Sequence, residues 1–530
     1  MLNLFKKREA MQEKDEREKY MDYISRLALP GIKDGELVFA NSLQRLFTIK
    51  DAKHYHIEAA ECFRVLLEDL TAKKLCHLDE RCRSYLEYHW NCREEINWKQ
   101  DRLNREELSY LSEEQYVAAL SFGTFHRDGY CRQACVEALK EWKDSLPYLV
   151  LRLNDWVQAV RDSAYNSILY RISVCEITEL FSALPVLDKV RNSGRWERPQ
   201  VADIEQNIKQ QLRKKMKDCN LWEIPQYEIS VRNALYRFVS QNEVLELSQL
   251  EYLLALEKSS FGKRLLMTAI LWQFTVTPEM LIRYMEDKSS AVRYLAMEQY
   301  YSTHQNAWNG LEWMLLDKAK KIRDYAAYIL GKHGNFDVLG FYKEQIRNGK
   351  ERVALLGIGE NGTGKELDMI ASYLENSDDH IKRTALIAYG MLAGESGDRV
   401  YLEFLQKPEP LLYVQAYRLI VKYGVSYGSK CIFELYRKYR GLPVVDYMIR
   451  LLTRERSWER LPYLLQLCDD ENLSERMKGH VLYAIQHRSM YGSVTQNEAE
   501  VIRQRLDEKR DYLSDKIVDS VLWDMKFVTR

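Results

Sequence analysis

The amino-acid sequence predicts an all-α fold, a right-handed superhelical solenoid of stacked helical hairpins. Three observations predict it. The 530 residues include only 23 Gly and 10 Pro, about half the share that typical frequencies of roughly 7% and 5% would supply, so most of the chain goes into helices joined by short connections. A register mark, basic in four of five consecutive units, recurs at intervals of 29 to 31 residues. Within each interval two apolar patterns of helical period flank a glycine-containing turn. A chain of this length exceeds one ordinary core, and a fixed internal period selects an elongated repeat array over several separate domains.

Taken in chain order, residues 1–125 read as a helical N-terminal region. Residues 126–485 read as the repeat array, with an insertion near 186–220, and residues 486–530 as capping helices. The period is clearest in the middle. DKSSAVRYLAMEQY from Asp287 and DKAKKIRDYAAYIL from Asp317 share Asp, four residues, an aliphatic, Arg, two residues and Ala. The marks run Arg293, Arg323, Arg352, Lys382 and Tyr413, with Ala296, Ala326, Leu355, Ala385 and Ala416 three residues on. Backwards the register passes through Arg264 and Arg232, then resumes at Arg161 and Arg132. Forwards it decays through Val445 to Lys478. The gap from Arg161 to Arg232 contains RNSGRWERPQ, which reads as a loop or insertion. The last segment, EAEVIRQRLDEKRDYLSDKIVDSVLWDMKF, is expected to present a charged face that blocks end-to-end stacking.

The Asp-x4-Val-Arg-x2-Ala pattern, the glycine turn and the second Leu-rich helix resemble HEAT repeats of the short bacterial kind. The resemblance covers Asp128 to Val481. It implies that each Arg pairs with the Asp of its own or a neighbouring repeat, so that Asp155, Arg161, Asp287, Arg293, Asp317, Arg323, Arg352 and Lys382 form a mainly structural ladder. The functional alternative is a row of cations able to hold phosphates or acidic peptides.

GIGENGTGKE, Gly357 to Glu366, mimics a phosphate-binding loop, because Gly359, Gly364 and Lys365 meet the Gly-x4-Gly-Lys spacing. The residue after Lys365 is Glu366, where a magnesium-binding loop needs Ser or Thr, and the preceding ERVALLGIG reads as helix. By repeat phase the segment is the turn between two helices, its glycines and Asn361 supplying left-handed backbone angles.

Other constellations carry two readings each. Trp156 beside Asp155 is similar to the Trp and Asp pairs lining the groove of HEAT-like alkylpurine DNA glycosylases. The plainer reading is a capping Asp and a Trp covering a seam. Together with Trp156 and Arg132, the basic residues Lys209, Arg213 and Lys214 are candidates for groove or anion contact, and a solvated helix face is their default. Cys76, His77, Cys82, His89 and Cys92 crowd within LCHLDERCRSYLEYHWNC without a Cys-x-x-Cys knuckle, so helix packing is expected and no metal. Cys62, Cys135, Cys175, Cys431 and Cys468 read as reduced, buried thiols.

No His-Glu-x-x-His set is present, and 78 basic residues balance 78 acidic ones. That balance argues against a dedicated nucleic-acid or anionic-membrane protein. With no long apolar run and no leader-like start, the chain is expected in the cytoplasm. A positively flanked start, Met1 to Arg8, is expected to fray or form helix rather than touch a membrane. The expected activity is binding, without cofactor: a scaffold whose concave surface takes a protein or peptide. The resemblance also implies two other classes, a DNA glycosylase or DNA-binding protein, and a chromophore lyase or assembly factor.

Overall fold

The structure is a computed structural model. It describes residues 105–106, 108–126, 129–193, 198–334, 336–489 and 492–530, with isolated positions between 57 and 79. Most of residues 1–125, including Met1 to Arg8 and Cys62, therefore lie outside the described residues. The described residues are helical and contain no strand; one isolated bridge joins Val494 and Thr529. The chain divides into two compact units, Met1–His304 and Gln305–Arg530.

The first unit holds α1 (Glu113–Gly123), α2 (Gly129–Leu139), α3 (Leu146–Arg152), α4 (Gln158–Val174), α5 (Ile177–Arg191), α6 (Arg198–Lys215), α7 (Ile229–Gln241), α8 (Leu247–Leu256), α9 (Ser260–Gln273), α10 (Pro278–Tyr284) and α11 (Ser290–His304). Local chemistry starts these helices. Ser112 and Gln115 form a reciprocal capping box on α1, and Thr277 caps α10 ahead of Pro278. Apolar residues at helical spacing then turn one face inward: Leu266, Met267 and Ile270 of α9 and Val292, Ala296 and Met297 of α11 are fully buried. Helices α3, α5, α7, α9 and α11 stack successively in one row, while α2, α4 and α6 stack in another.

The described residues of the expected insertion near 186–220 are mostly helical. They comprise the end of α5 and all of α6, whose Ile204, Ile208 and Leu212, with Met216 just past its end, form a buried stripe one turn apart. Of RNSGRWERPQ, residues 194–197 lie outside the described residues. Because α6 joins the row of α4 while α7 joins the row of α5, the basic marks change rows here. Arg132 and Arg161 sit on α2 and α4, whereas Arg232 and Arg293 sit on α7 and α11.

The second unit holds α12 (Lys320–His333), α13 (Val338–Arg347), α14 (Glu351–Asn361), α15 (Leu367–Ser372), α16 (Asp379–Ala393), α17 (Asp398–Leu405), α18 (Pro410–Tyr423), α19 (Ser429–Lys438), α20 (Val445–Leu452), α21 (Ser457–Leu467), α22 (Glu475–Gln486), α23 (Gln496–Glu508) and α24 (Asp515–Val528). Helices α14, α16, α18, α20, α22 and α24 stack in one row, and α19, α21 and α23 stack in the other. Helix α18 opens on Pro410 and stops at Gly424, where φ is +68°, a start and stop that need those two residue types. The C-terminal pair is less polar than expected: α24 exposes Trp523 and Phe527 beside its charges.

GIGENGTGKE meets its expected role in part: Gly362 to Glu366 connect α14 to α15, but without left-handed backbone. Gly357 through Asn361 belong to α14, and neither Gly357, Gly359, Asn361, Gly362 nor Gly364 has a positive φ. A Cβ on Gly357 would lie 2.2 Å from the Tyr342 ring, and one on Gly359 would lie 2.7 Å from the Ala388 Cα. These glycines let α14 approach its neighbours. Left-handed backbone is instead used at the end of α16, where Gly394 has φ +56°.

Candidate functional site

Six of the ladder residues act first on their own helix starts. The Asp155 carboxylate accepts from the Val157 N–H at 3.0 Å, Asp287 from Ser289 at 2.7 Å and Asp317 from Ala319 at 2.7 Å, in turns that open α4, α11 and α12. Six residues on, Arg161, Arg293 and Arg323 each donate at 2.7 Å to the carbonyl of that same acidic residue. Remaining donors bridge repeats. Arg132 on α2 meets both Asp155 oxygens at 2.8 Å, Arg232 meets Glu257 at 2.7 and 2.8 Å, and Lys263 meets Asp287 at 2.9 and 2.8 Å. Lys263 therefore holds the register position, and Arg264 sits one residue off, over the Phe261 ring.

Further along, the pattern changes. Arg323 reaches Glu360 of the α14 glycine segment at 2.9 and 2.5 Å, and both side chains are buried. Lys382 pairs with Asp379 on its own helix at 3.1 Å. Arg352 is exposed, and no ion pair involves it among the described residues.

Around Asp155 the structure brings together three of the sequence candidates. Trp156 is 44% exposed and its ring lies 4.3 Å from the Arg132 guanidinium. Arg152, buried, adds a bond to Asp155 at 3.3 Å and an ion pair with Asp79. Burial raises the Asp155 pKa, but the Arg132 hydrogen bond and the Arg152 and Arg132 charges outweigh it, and the net direction is down. Asp155 is 0% exposed, and its two oxygens accept from Arg132, Arg152 and the Val157 N–H.

Lys209 is half-buried on α6, Lys214 is exposed, and Arg213 donates to the Glu243 carbonyl at 2.6 Å and its carboxylate at 3.3 Å. In the cysteine-rich segment Cys76 is buried, while His77, Cys82, His89 and Cys92 lie outside the described residues. Among the described residues no group of three or more His, Cys, Asp or Glu could hold a metal ion. Burial pushes the Cys175 and Cys468 thiols up to about 11, and Cys135 is also buried; Cys431 is half-buried.

A site that the sequence did not disclose crosses the row α19, α21, α23. There a groove of about 940 Å³ opens. Its first wall is Tyr427 and the start of α19, from Gly428 to Cys431 with Glu434 one turn on. Gly428 takes φ +78°, and α19 has no side-chain cap, so its first amide N–H groups lack intrahelical acceptors. The Ser429 Oγ, on a residue 5% exposed, has no hydrogen-bond partner among the described residues. The floor is α21. Trp458 is held by its indole N–H to the Ser489 carbonyl at 3.0 Å, and Tyr463 packs 5.1 Å from Phe433. Pro462, one turn after Trp458, has no N–H, so the Trp458 carbonyl lacks its usual helical donor. Asn497, Glu498 and Val501 of α23 form the far wall. Of the lining charges, Glu434, Glu459 and Glu498 face Lys430 alone.

No helix among the described residues is long and apolar enough to cross a membrane. No family model matches the sequence, and no curated protein matches it. Among solved structures the chain is similar to the S. pombe condensin Cnd3-Cnd2 subcomplex at 13% identity, over 93% of this chain and 77% of that one, with a TM-score of 0.33. It is also similar to the karyopherin Kap121p bound to the extreme C-terminus of the protein phosphatase Cdc14p, at 10% identity, over 93% of this chain and 66% of that one, with a TM-score of 0.31. This chain thus spans just under two thirds of that karyopherin's length. The assignment of a helical solenoid rests on the stacked rows themselves.

Proposed function

We propose that this chain is a non-catalytic binding scaffold, and that the groove across α19, α21 and α23 seats a peptide segment of a protein partner. The observation that carries this reading is the groove's unspent hydrogen-bonding capacity: a buried Ser429 Oγ without partner among the described residues, an uncapped helix start and a carbonyl deprived of its donor by Pro462, set between aromatic side chains. Unsatisfied buried polar groups cost free energy that an incoming backbone recovers. Elsewhere Asp155, Asp287, Asp317 and Arg323 spend their charges on bonds within the array. In this reading Asp155, Arg161, Asp287, Arg293, Asp317 and Arg323 hold successive repeats in register, and Lys209 and Lys214 belong to a solvated face.

The test is selection from a phage-displayed dodecapeptide library on the full chain. Val501 and Lys430 are exposed groove residues, so K430W/V501W fills the groove without entering the core. Selected peptides are expected to bind the wild-type chain and to lose about ten-fold or more in affinity on the filled variant, with unchanged helical circular dichroism. Equal affinity for both chains, or no enrichment on either, refutes the reading.

A further inference from the structure

We propose that the groove is selective for an extended, cationic segment, one in which Lys or Arg side chains alternate with small residues. The inference rests on the scaffold reading and adds the chemistry of the partner. Three carboxylates line the groove against one ammonium, in a chain whose 78 basic and 78 acidic residues otherwise balance. Their oxygens are incompletely used. Glu434 is exposed and forms no ion pair among the described residues. Glu459 shares one oxygen with Arg456, whose side chain is 86% exposed, at 3.2 Å. Glu498 spends Oε2 on the N–H and hydroxyl of Thr495, both at 2.8 Å, which leaves Oε1 open.

The three carboxylates come from α19, α21 and α23, successive members of one row. Neighbouring helix axes lie about 8–10 Å apart, so a segment crossing α19 to α23 spans about 16–20 Å, or five to six extended residues at about 3.3 Å each. An extended strand directs alternate side chains to the same side. Cations at alternate positions therefore meet Glu434, Glu459 and Glu498 in turn. The backbone between them has matching partners: the Trp458 carbonyl can accept from a peptide N–H, while the Ser429 hydroxyl and the first α19 amides can donate to peptide carbonyls. A guanidinium also stacks on an aromatic face, which Tyr463 and Tyr427 offer in the walls. An acidic segment would find Lys430 alone and three like charges, so charge complementarity decides between the two.

The experiment measures fluorescence anisotropy of three fluorescein-labelled octapeptides, alternating Arg with Ser, Glu with Ser, and Gly with Ser, titrated with the full chain. The Arg–Ser peptide is expected to bind about ten-fold or more tightly than either other. The variant E434Q/E459Q/E498Q, which keeps an acceptor in the α23 capping box, is expected to lose about ten-fold of that affinity. The control E500Q/D511N/D519N, altered at exposed carboxylates outside the groove, is expected to stay within about two-fold. Arg–Ser binding no tighter than Glu–Ser, or indifferent to the groove substitutions, overturns cationic selectivity. If a Glu–Ser or Gly–Ser peptide binds and K430W/V501W abolishes it, the scaffold reading stands and the selectivity alone falls. If no peptide binds and library selection also fails, both fall.

Discussion

At Gly359 a hydrogen atom is all that separates α14 from α16. A Cβ there would stand 2.7 Å from the Ala388 Cα, a backbone atom that cannot swing aside, whereas at Gly364 the nearest atom is the flexible Leu367 Cδ1 at 3.9 Å. Gly359→Ala is therefore expected to lower stability by about 2–3 kcal/mol and Gly364→Ala by less than about 0.5 kcal/mol, read from urea unfolding midpoints. A nucleotide-binding loop would make Gly364 the sensitive position, so equal sensitivity would contradict the packing role. Asp470 offers a second test at this scale. Burial pushes its carboxyl up, but hydrogen bonds from Arg440 at 2.7 Å, from Tyr436 and from the Asn472 N–H at 2.9 Å win, and its pKa falls far below the ordinary range. A depressed folded pKa means stability that is fully present above the unfolded value of about 3.9 and is lost as pH falls below it. Asp470→Asn should cost about 2–3 kcal/mol at pH 7, with the gap to wild type narrowing by pH 3. A gap that stays constant between those pH values would show that the charge is not the source.

Between helices the ladder replaces single residues as the unit of stability. Arg323 and Glu360 are 3% and 2% exposed in their side chains, so removing one leaves a buried charge without its counter-ion. Arg323→Met is expected to cost about 3–5 kcal/mol, and Arg323→Met with Glu360→Met to recover most of it, since an apolar pair of similar volume replaces both desolvated charges. Arg352→Ala, at an exposed mark, should cost less than about 0.5 kcal/mol. An additive double variant in the same unfolding assay would show that the two groups are not coupled. The same ladder shows how far the sequence can be read. Its six-residue step from acid to base is local, and DKSSAVR and DKAKKIR display it openly. Glu257 and Lys263 hold the same positions with both residue types exchanged, Glu257 accepting from the Ser259 N–H and Lys263 reaching Asp287, so a search for Arg lands on Arg264, one residue out of phase. In α6 and just past its end the buried stripe of Ile204, Ile208, Leu212 and Met216 is diluted by charged neighbours, which is why the region resembles an insertion by composition and a repeat helix by spacing. The glycines of α14 carried a phase that was readable, but the Tyr342 ring and Ala388 that demand them are set by tertiary packing. The groove was least accessible to sequence reasoning. Its walls are contributed by helices about one repeat apart and share no motif, and its marks, a mid-helix Pro462 and an uncapped Ser429, acquire meaning only when the three helices are adjacent.

Across whole units, each helix buries its apolar face chiefly against the helices before and after it in its row and against its hairpin partner, so stability is expected to be a sum of nearest-neighbour terms. Within Gln305–Arg530, α14 packs on α13 and α16, while α22 packs on α20, α21 and α24. Gly359→Ala should then act locally. Native-state hydrogen exchange followed by mass spectrometry is expected to show amides of α13, α14 and α16 exchanging about ten-fold faster or more in that variant, with those of α22 and α24 unchanged. A cooperative globular core predicts the opposite, a uniform loss of protection from α13 through α24, because one unfolding event would then expose every amide. The distinction bears on binding. If coupling is confined to neighbours, occupancy of the groove should slow exchange in α19, α21 and α23 and in their hairpin partners α20, α22 and α24, while leaving α13 and α14 as they are; protection spreading to α13 would require a coupling that nearest-neighbour packing does not supply.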